Sequence, residues 1–595
     1  MQTNRSFPFL ALTLILLCTC FSACTPPSPD TPPNVVIILT DDQGWGDLSI
    51  NGNTYLSTPN IDGLAEQGAA FDHFFVQPVC SPTRAEILTG RYSPRGNIYS
   101  TSTGGERLDL DETTIAEVFK ANGYATAAFG KWHNGTQAPY HPNSRGFEEY
   151  YGFCSGHWGN YFDPMLEHNG DIIKGEGYLT DDLTERAMAF IDAKKEQPFL
   201  VYLPLNIPHS PMQVPDRWWQ KFKDMPIDTT HRNGQRMNVD HTRAAYAMCE
   251  NVDWNVGRIL DKLEELALTE NTIVLYLSDN GPNGHRWNGG MKGIKGSTDE
   301  GGVRSPLLVQ WQGTIKGGKK IPNIAGAIDL LPTLTDLCAL PLETSHPIDG
   351  KSLKPLLLED NPSWEDRYLY HFWRNRLSLR NQNFRLDNEG QLFDMRTDPD
   401  QMKDVSEQHP GIKSAFLEAK SNWSETVLAE LNSDSKRPFT VGHSSLKTTQ
   451  LPARDAVGHG NIQRSSIHPN CSFFSNWTAL TDSITWKVEV LESGDYEVIA
   501  YYTCAEENVG STIALTYQDQ VTTQKITEAH DPPLVGQEVN RVERGESYVK
   551  DFKPLSMGEI SLEKGKGTLT LRATAIAQDQ VMDFRLLLLE RKEPN

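Results

Sequence analysis

Three things are scarce in this chain of 595 residues, and each scarcity closes off a class of protein. Cationic charge is the first: 55 lysines and arginines face 77 aspartates and glutamates, a formal charge of -22. No overall positive field gathers polyanions, which argues against nucleic acid or an anionic membrane surface as a main partner. Any anionic substrate must therefore be held by a local cluster of cations. Cysteine is the second. Three of the nine fall in the N-terminal leader, and Cys80, Cys154, Cys249, Cys338, Cys471 and Cys504 form no CxxC pair and no zinc spacing. Long apolar runs are the third: residues 7–17, FPFLALTLILL, are too few to span a bilayer.

That apolar run follows Arg5 and precedes small residues, so it reads as a signal peptide. FSAC at 21–24 resembles a bacterial lipobox, and TPPSPDTPP at 25–33 is a tether that cannot pack. The expectation is a leader over 1–24, lipidation of Cys24, and an exported protein in the periplasm or at the cell surface. Its membrane contact would be the lipid anchor alone. In an oxidising compartment, the plain reading of Cys80 is half of a disulfide.

At 38% hydrophobic the rest is globular, and its length predicts a large domain plus a smaller one. Residues 34–39, 123–130, 198–205 and 272–278 are short apolar, β-rich runs of the kind buried on both faces of a parallel sheet. Residues 113–123 and 252–268 carry apolar side chains at helical spacing between them. The pattern is α/β. The strand endings matter more: the first run leads into Thr40, Asp41 and Asp42, the second into Lys131 and His133, the third into His209, the fourth into Asp279 and Asn280. Strand carboxyl ends line one edge of an open parallel sheet, so these residues should meet. Taken singly, an Asp-Asp is a turn and a lone His a satisfied polar group. Together, three carboxylates and an amide carbonyl are hard oxygen donors suited to calcium or magnesium rather than zinc.

Residues 79–91, VCSPTRAEILTGR, put a cysteine at a helix start, with Pro82 in the first turn and Arg84 one turn on. Free N–H groups and the dipole favour an anion there, and could activate a thiolate. A soft sulfur aimed at a hard cation is nevertheless a mismatch, which suggests that the working side chain is not a thiol.

Cys80-Ser81-Pro82-Thr83-Arg84 followed by AEILTGR resembles the signature of the type I sulfatases, whose cysteine is oxidised to formylglycine. TDDQGWGD (40–47), GKWH (130–133), IPHSP (207–211), SDNGPNG (278–284) and KGSTDEGGVRSP (295–306) follow in the family's order, and the likeness runs over about residues 34–430. It implies an alkaline-phosphatase-like mixed sheet flanked by helices. It also implies one Ca2+, or Mg2+, held by Asp41, Asp42, Asp279, Asn280 and the modified Cys80. Sulfate would leave a sugar through a covalent formylglycine-sulfate intermediate, with Arg84 and Lys131 acidifying the nucleophile, His209 and Lys295 binding sulfate and protonating the leaving oxygen, and His133 accepting a proton. A formylglycine-generating or anaerobic sulfatase-maturating enzyme is the implied partner. Asn134 departs from the leucine common in GKWHLG.

Residues 154–164 and 281–290 are rich in types that stack on sugars and bond hydroxyls. His157, Asn160, His285, Arg286 and Trp287 are thus candidates for a sugar pocket. Beyond about residue 440 the pattern changes to alternating β runs at 483–504, 511–519, 567–576 and 581–591, which predict an all-β sandwich over 441–595, with 34–440 as the catalytic domain. The sandwich resembles carbohydrate-binding-like modules, and Cys471 and Cys504 could staple two of its strands. The expected function is removal of sulfate from a sulfated oligo- or polysaccharide. A phosphodiesterase or phosphonate hydrolase on the same scaffold, and a catalytically silent glycan-binding lipoprotein, are the alternatives.

Overall fold

The computed structural model describes residues 1–2, 32–228, 236–432 and 437–592. The expected leader beyond residue 2, Cys24, and the tether as far as residue 31 lie outside the described residues. The centre is an eleven-stranded mixed sheet. Its strands include β1 (Asn34–Thr40), β2 (Ala69–Phe75), β3 (Ala125–Lys131), β4 (Phe199–Pro204) and β5 (Thr272–Ser278). Four of them lie parallel in the order β5, β1, β4, β3. Beyond β5 come Leu307–Gln310, antiparallel, and then β2.

Every residue of β1 is buried, because both faces are covered. Val36 and Ile38 pack with Val201, Leu203 and Phe129 on one face, while Val35, Ile37 and Leu39 join Leu275, Leu277 and Leu200 on the other. Period-two alternation in a strand with no solvent face yields a continuous apolar run. Each such side chain contributes roughly 1.5–3 kcal/mol by leaving water. On the second face lie α1 (Cys80–Thr89), buried at all ten positions, and α2 (Ile115–Ala121). Thr114 and Glu117 close a capping box at the start of α2. The helix expected at 252–268 is longer and earlier, α3 (Val239–Glu265), capped by Asn238. Its first half is alanine-rich and buried nearly all round, so it lacks the amphipathic stripe that marked the second half.

A four-stranded antiparallel sheet follows, formed by Leu369–Trp373, Arg376–Arg380, Phe384–Leu386 and Leu392–Asp394. The last part has two six-stranded sheets whose inner faces share one core, including Trp486, Tyr496, Leu515, Leu571 and Phe584. Its first strand, Phe439–Val441, already pairs with Ser483–Val490.

The staple suggested for Cys471 and Cys504 does not form, and neither does a disulfide at Cys80; the six described cysteines are unpaired and buried. Cys471 Sγ donates to the carbonyl of His157 at 2.8 Å, in the other domain. Cys504 Sγ faces the carbonyls of Ala505 and Val581 within its own domain.

Candidate active site

The carboxyl ends of the parallel strands gather one cluster. Asp41 and Asp42 follow β1, and Asp279 and Asn280 follow β5, its parallel neighbour. Asp42 N donates to Asp279 Oδ1 at 3.2 Å, and Asn280 Nδ2 donates to Asp42 Oδ1 at 2.8 Å. Lys131 ends β3 and sets its Nζ 2.6 Å from Asp41 Oδ2. Lys295 Nζ lies 2.7 Å from Asp42 Oδ1, and His209 Nε2 lies 3.6 Å from Asp42 Oδ2. Asp42 and His133 both have positive φ, 66° and 67°. Non-glycine residues rarely sit there, and the cost is of order 1 kcal/mol or more each.

The extended Val79 turns the chain into α1, so that Cys80 opens the helix. Its Sγ donates to Asp41 Oδ1 at 3.3 Å. One turn on, Arg84 is buried and donates through Nε and Nη2 to Asp279 Oδ2, at 3.1 and 2.8 Å, and through Nη1 to the Lys131 carbonyl at 2.7 Å. Asn134, the departure from the family pattern, is buried and donates to the Ser81 carbonyl at 3.3 Å. It braces the start of α1 rather than meeting a ligand.

Burial sets the electrostatics. The Asp41 carboxyl, which burial would raise, is held well below its usual range by Lys131, His209 and Arg84. Asp42 is likewise lowered against its burial by Lys295 and His209. Asp279 moves the other way, to about 7, through burial and the charge of Asp41. Burial, with Asp279 and Asp41, pushes the Cys80 thiol far up, so the thiolate that a helix start could have favoured is not stabilised here. His133 is pushed well down by burial and Lys131 and is neutral. Its Nε2 donates to the Thr101 carbonyl at 2.9 Å, which leaves a bare Nδ1 with no protein partner.

The cluster fits a hard divalent cation. Asp41, Asp42, Cys80 and His209 bring ligand atoms within 4.8 Å of one another. Asn280 Oδ1 is buried without a hydrogen-bond partner, an unmet acceptor beside three crowded carboxylates. Oxygen-rich donor sets of this kind suit calcium or magnesium.

A cavity of about 360 Å³ opens onto Cys80, His133, His209 and Lys295. His157, a candidate from the sequence, lines it; the ring is buried, packs 5.4 Å from that of His209, and has no protein partner at either nitrogen. The other sugar-pocket candidates lie elsewhere. Arg286 is fully buried, with Nε and Nη2 on the carboxylate of Asp47 at 2.6–2.8 Å and Nη2 on the Asp42 carbonyl at 2.8 Å. It holds the turn from Asp42 to Asp47 in shape. Trp287 stacks on Trp45 at 6.3 Å, and His285, on the same loop, is half-buried; neither lines the cavity. Asn160 bonds the backbone of Phe162 and lines a separate cleft against the sandwich domain. In their place the cavity is walled by Thr101 and Gly156, by Trp373 and Arg374 of the antiparallel sheet, and by His468, Asn470 and Glu546 of the sandwich. Gly156 lies in the 154–164 stretch singled out in the sequence; the others had carried no motif.

A profile of the sulfatase family matches residues 33–339, and one described as N-sulphoglucosamine sulphohydrolase, C-terminal, matches residues 295–420. N-acetylgalactosamine-6-sulfatase of Mus musculus is 31% identical over 383 residues, covering 58% of this chain and 70% of the relative. A solved structure of Ps i-CgsB in complex with k-i-k-neocarrahexaose is 31% identical with a TM-score of 0.61, over 66% of this chain and 93% of that one. Phosphonate monoester hydrolase of Agrobacterium radiobacter, 20% identical with a TM-score of 0.51 over 67% of this chain and 96% of that one, shares the fold.

Proposed function

The chain belongs to the sulfatase family and is a sulfuric ester hydrolase, and on that premise we propose that it removes sulfate from a sulfated carbohydrate, in polysaccharide breakdown, after Cys80 has been converted to formylglycine. The observation that carries this reading is one cavity onto which Cys80, Lys295, His133 and His209 all open, above the acidic cluster of Asp41, Asp42, Asp279 and Asn280. The relative Ps i-CgsB, 31% identical, was solved in complex with k-i-k-neocarrahexaose, which supports the carbohydrate class. An exported, lipid-anchored location belongs to the same proposal and rests on the N-terminal sequence.

Calcium at the four oxygen-donor residues, with formylglycine at position 80, would supply the polarised oxygen nucleophile that a protonated thiol is not. The remaining work falls to this chain's own side chains. Lys131, Lys295 and Arg84 fix positive charge around the sulfate oxygens before reaction, so no reorganisation is needed as charge shifts. His209 anchors Nδ1 on the Ser210 carbonyl at 2.7 Å, so Nε2 is its free nitrogen; burial and Lys295 favour the neutral ring, and Nε2 must first take up a proton before it can pass one to the leaving sugar oxygen. His133 accepts a proton at Nδ1, the nitrogen its bond to Thr101 leaves bare.

The test is sulfate release from defined sulfated oligosaccharides by protein made alongside a maturation enzyme, with the mass of the peptide spanning residue 80. Release together with an aldehyde at that residue is expected. Full activity with an intact thiol would overturn the mechanism, and hydrolysis of phosphonate or phosphate diesters in preference to sulfate esters would overturn the substrate class.

A further inference from the structure

The sandwich domain does not hang from the enzyme on a tether. Arg544 Nη1 donates to the Gly159 carbonyl at 2.6 Å, Gln213 Nε2 to the Gly536 carbonyl at 2.9 Å, and the Arg541 N–H to the Met212 carbonyl at 2.9 Å. These bonds fix the loop that carries Glu546 against the segment that carries His209. Ser210, next to His209, donates its hydroxyl to Glu546 Oε1 at 2.6 Å. On the other side, Asn470 Oδ1 accepts from Ser155 Oγ at 3.2 Å, and Asn470 Nδ2 donates to the Thr101 carbonyl, which also holds His133.

Among the described residues that line the active cavity, Glu546 is the one carboxylate outside the acidic cluster. A negative group is out of place in a cavity built to gather a sulfate with Lys295 and Arg374, unless it meets a part of the substrate other than the sulfate. An ionised carboxylate only accepts hydrogen bonds, so it pairs with a hydroxyl or amide N–H and repels a second anion. Beside it, the buried His157 ring has no protein partner at either nitrogen and packs against the ring of His209.

We propose that the sandwich domain completes the substrate pocket, with Glu546, seconded by His157 and Asn470, accepting a hydroxyl or amide N–H of the sugar next to the scissile sulfate and rejecting sugars that carry a second sulfate or a carboxylate there. The inference rests on the reading of the site as a carbohydrate sulfatase. It assigns the domain a part in selecting substrate rather than in tethering the enzyme to a polymer.

The experiment compares the matured parent, Glu546→Gln and Glu546→Asp on pairs of sugars that share the scissile sulfate, N-acetylgalactosamine 6-sulfate against its 4,6-disulfate and the equivalent galactose pair, with 4-nitrophenyl sulfate as a reference lacking the sugar. The parent should prefer the monosulfated member. In Glu546→Gln that preference should fall about tenfold, through KM, with the pH profile on 4-nitrophenyl sulfate in place. Glu546→Asp keeps the charge but shortens the reach, so KM for the monosulfated sugar should rise while the disulfate stays excluded; this variant also serves should the Gln variant fail to fold. An unchanged preference in Glu546→Gln, or an unchanged KM in Glu546→Asp, would overturn the proposal. So would a shifted pH profile with preference intact, which would make Glu546 a positioning residue acting through His209. Failure of the parent on every sulfated sugar while 4-nitrophenyl sulfate is cleaved would instead strike the carbohydrate reading.

Discussion

At position 80 the side chain lies between Asp41 and the open cavity, where burial and the charges of Asp279 and Asp41 outweigh the pull of Lys131 and Lys295 towards a thiolate. Cys80→Ser should therefore lose at least about three orders of magnitude in kcat while melting within a few degrees of the parent, measured by sulfate release and thermal unfolding. Gly156 bears on the same chemistry from outside: a Cβ there would fall 2.2 Å from His133 Nε2. Gly156→Ala should displace the ring from the Thr101 carbonyl and lower kcat about tenfold or more, with KM less affected; an unchanged kcat would show that the ring has room to give. At this scale the sequence was most readable where residue identity and chain neighbours fix the role, as in Asp41-Asp42 and Cys80 to Arg84. It was least readable in loops, because Arg, Trp and Asn serve equally to pack a loop on protein and to hold a sugar. Arg286 illustrates this: its guanidinium has the chemistry of a ligand contact and spends it on Asp47.

Among the elements, the segment from Lys295 to Pro306 returns to the sheet under a buried ion cluster. Glu300 accepts from Arg380 Nη1 at 2.8 Å and from Arg385 Nε at 3.1 Å, and so ties the turn after Lys295 to the antiparallel sheet. Burial would raise its carboxyl, but Arg380, Arg385 and Arg304 hold it at about 2 against 4.5 for the free group. A lowered carboxyl contributes stability above the unfolded value and loses it as pH falls towards the folded one. About 3 kcal/mol should thus disappear between roughly pH 4.5 and 2. Glu300→Gln, which strands two buried guanidiniums, should cost about 3–5 kcal/mol near neutrality, with the gap to the parent closing over that acid window in denaturant titrations. A gap that stayed constant with pH would contradict the cluster. The elements themselves were legible where burial on both faces leaves an unbroken apolar run, as in β1 and β5. The first half of α3 was not, because small buried residues on every side erase the helical stripe.

For the molecule as a whole, the two parts share a buried polar seam. Arg454, from the sandwich, pairs with Glu106 at 3.4 Å and donates to Ser155 Oγ at 2.8 Å and to Thr136 Oγ1. Such a seam transmits unfolding, so calorimetry should give one cooperative transition rather than two. Arg454→Ala should cost about 3–5 kcal/mol by leaving Glu106 buried without its counter-charge. Two resolved transitions in the parent would mean that the parts unfold independently. The sandwich was visible in the sequence as alternating strands, but its place in the cavity was not: Glu546 and Asn470 sit in irregular loops, hundreds of residues from His133, with no periodicity to mark them.

Burial of α1 also sets an order of events in the life of the chain. All ten of its residues are covered, and Cys80 is 2% exposed. A modifying enzyme that needs the backbone on both sides of residue 80 would have to open this helix first. The conversion proposed at Cys80 would then precede the closing of α1, and a molecule that folds first would stay unconverted while the helix holds.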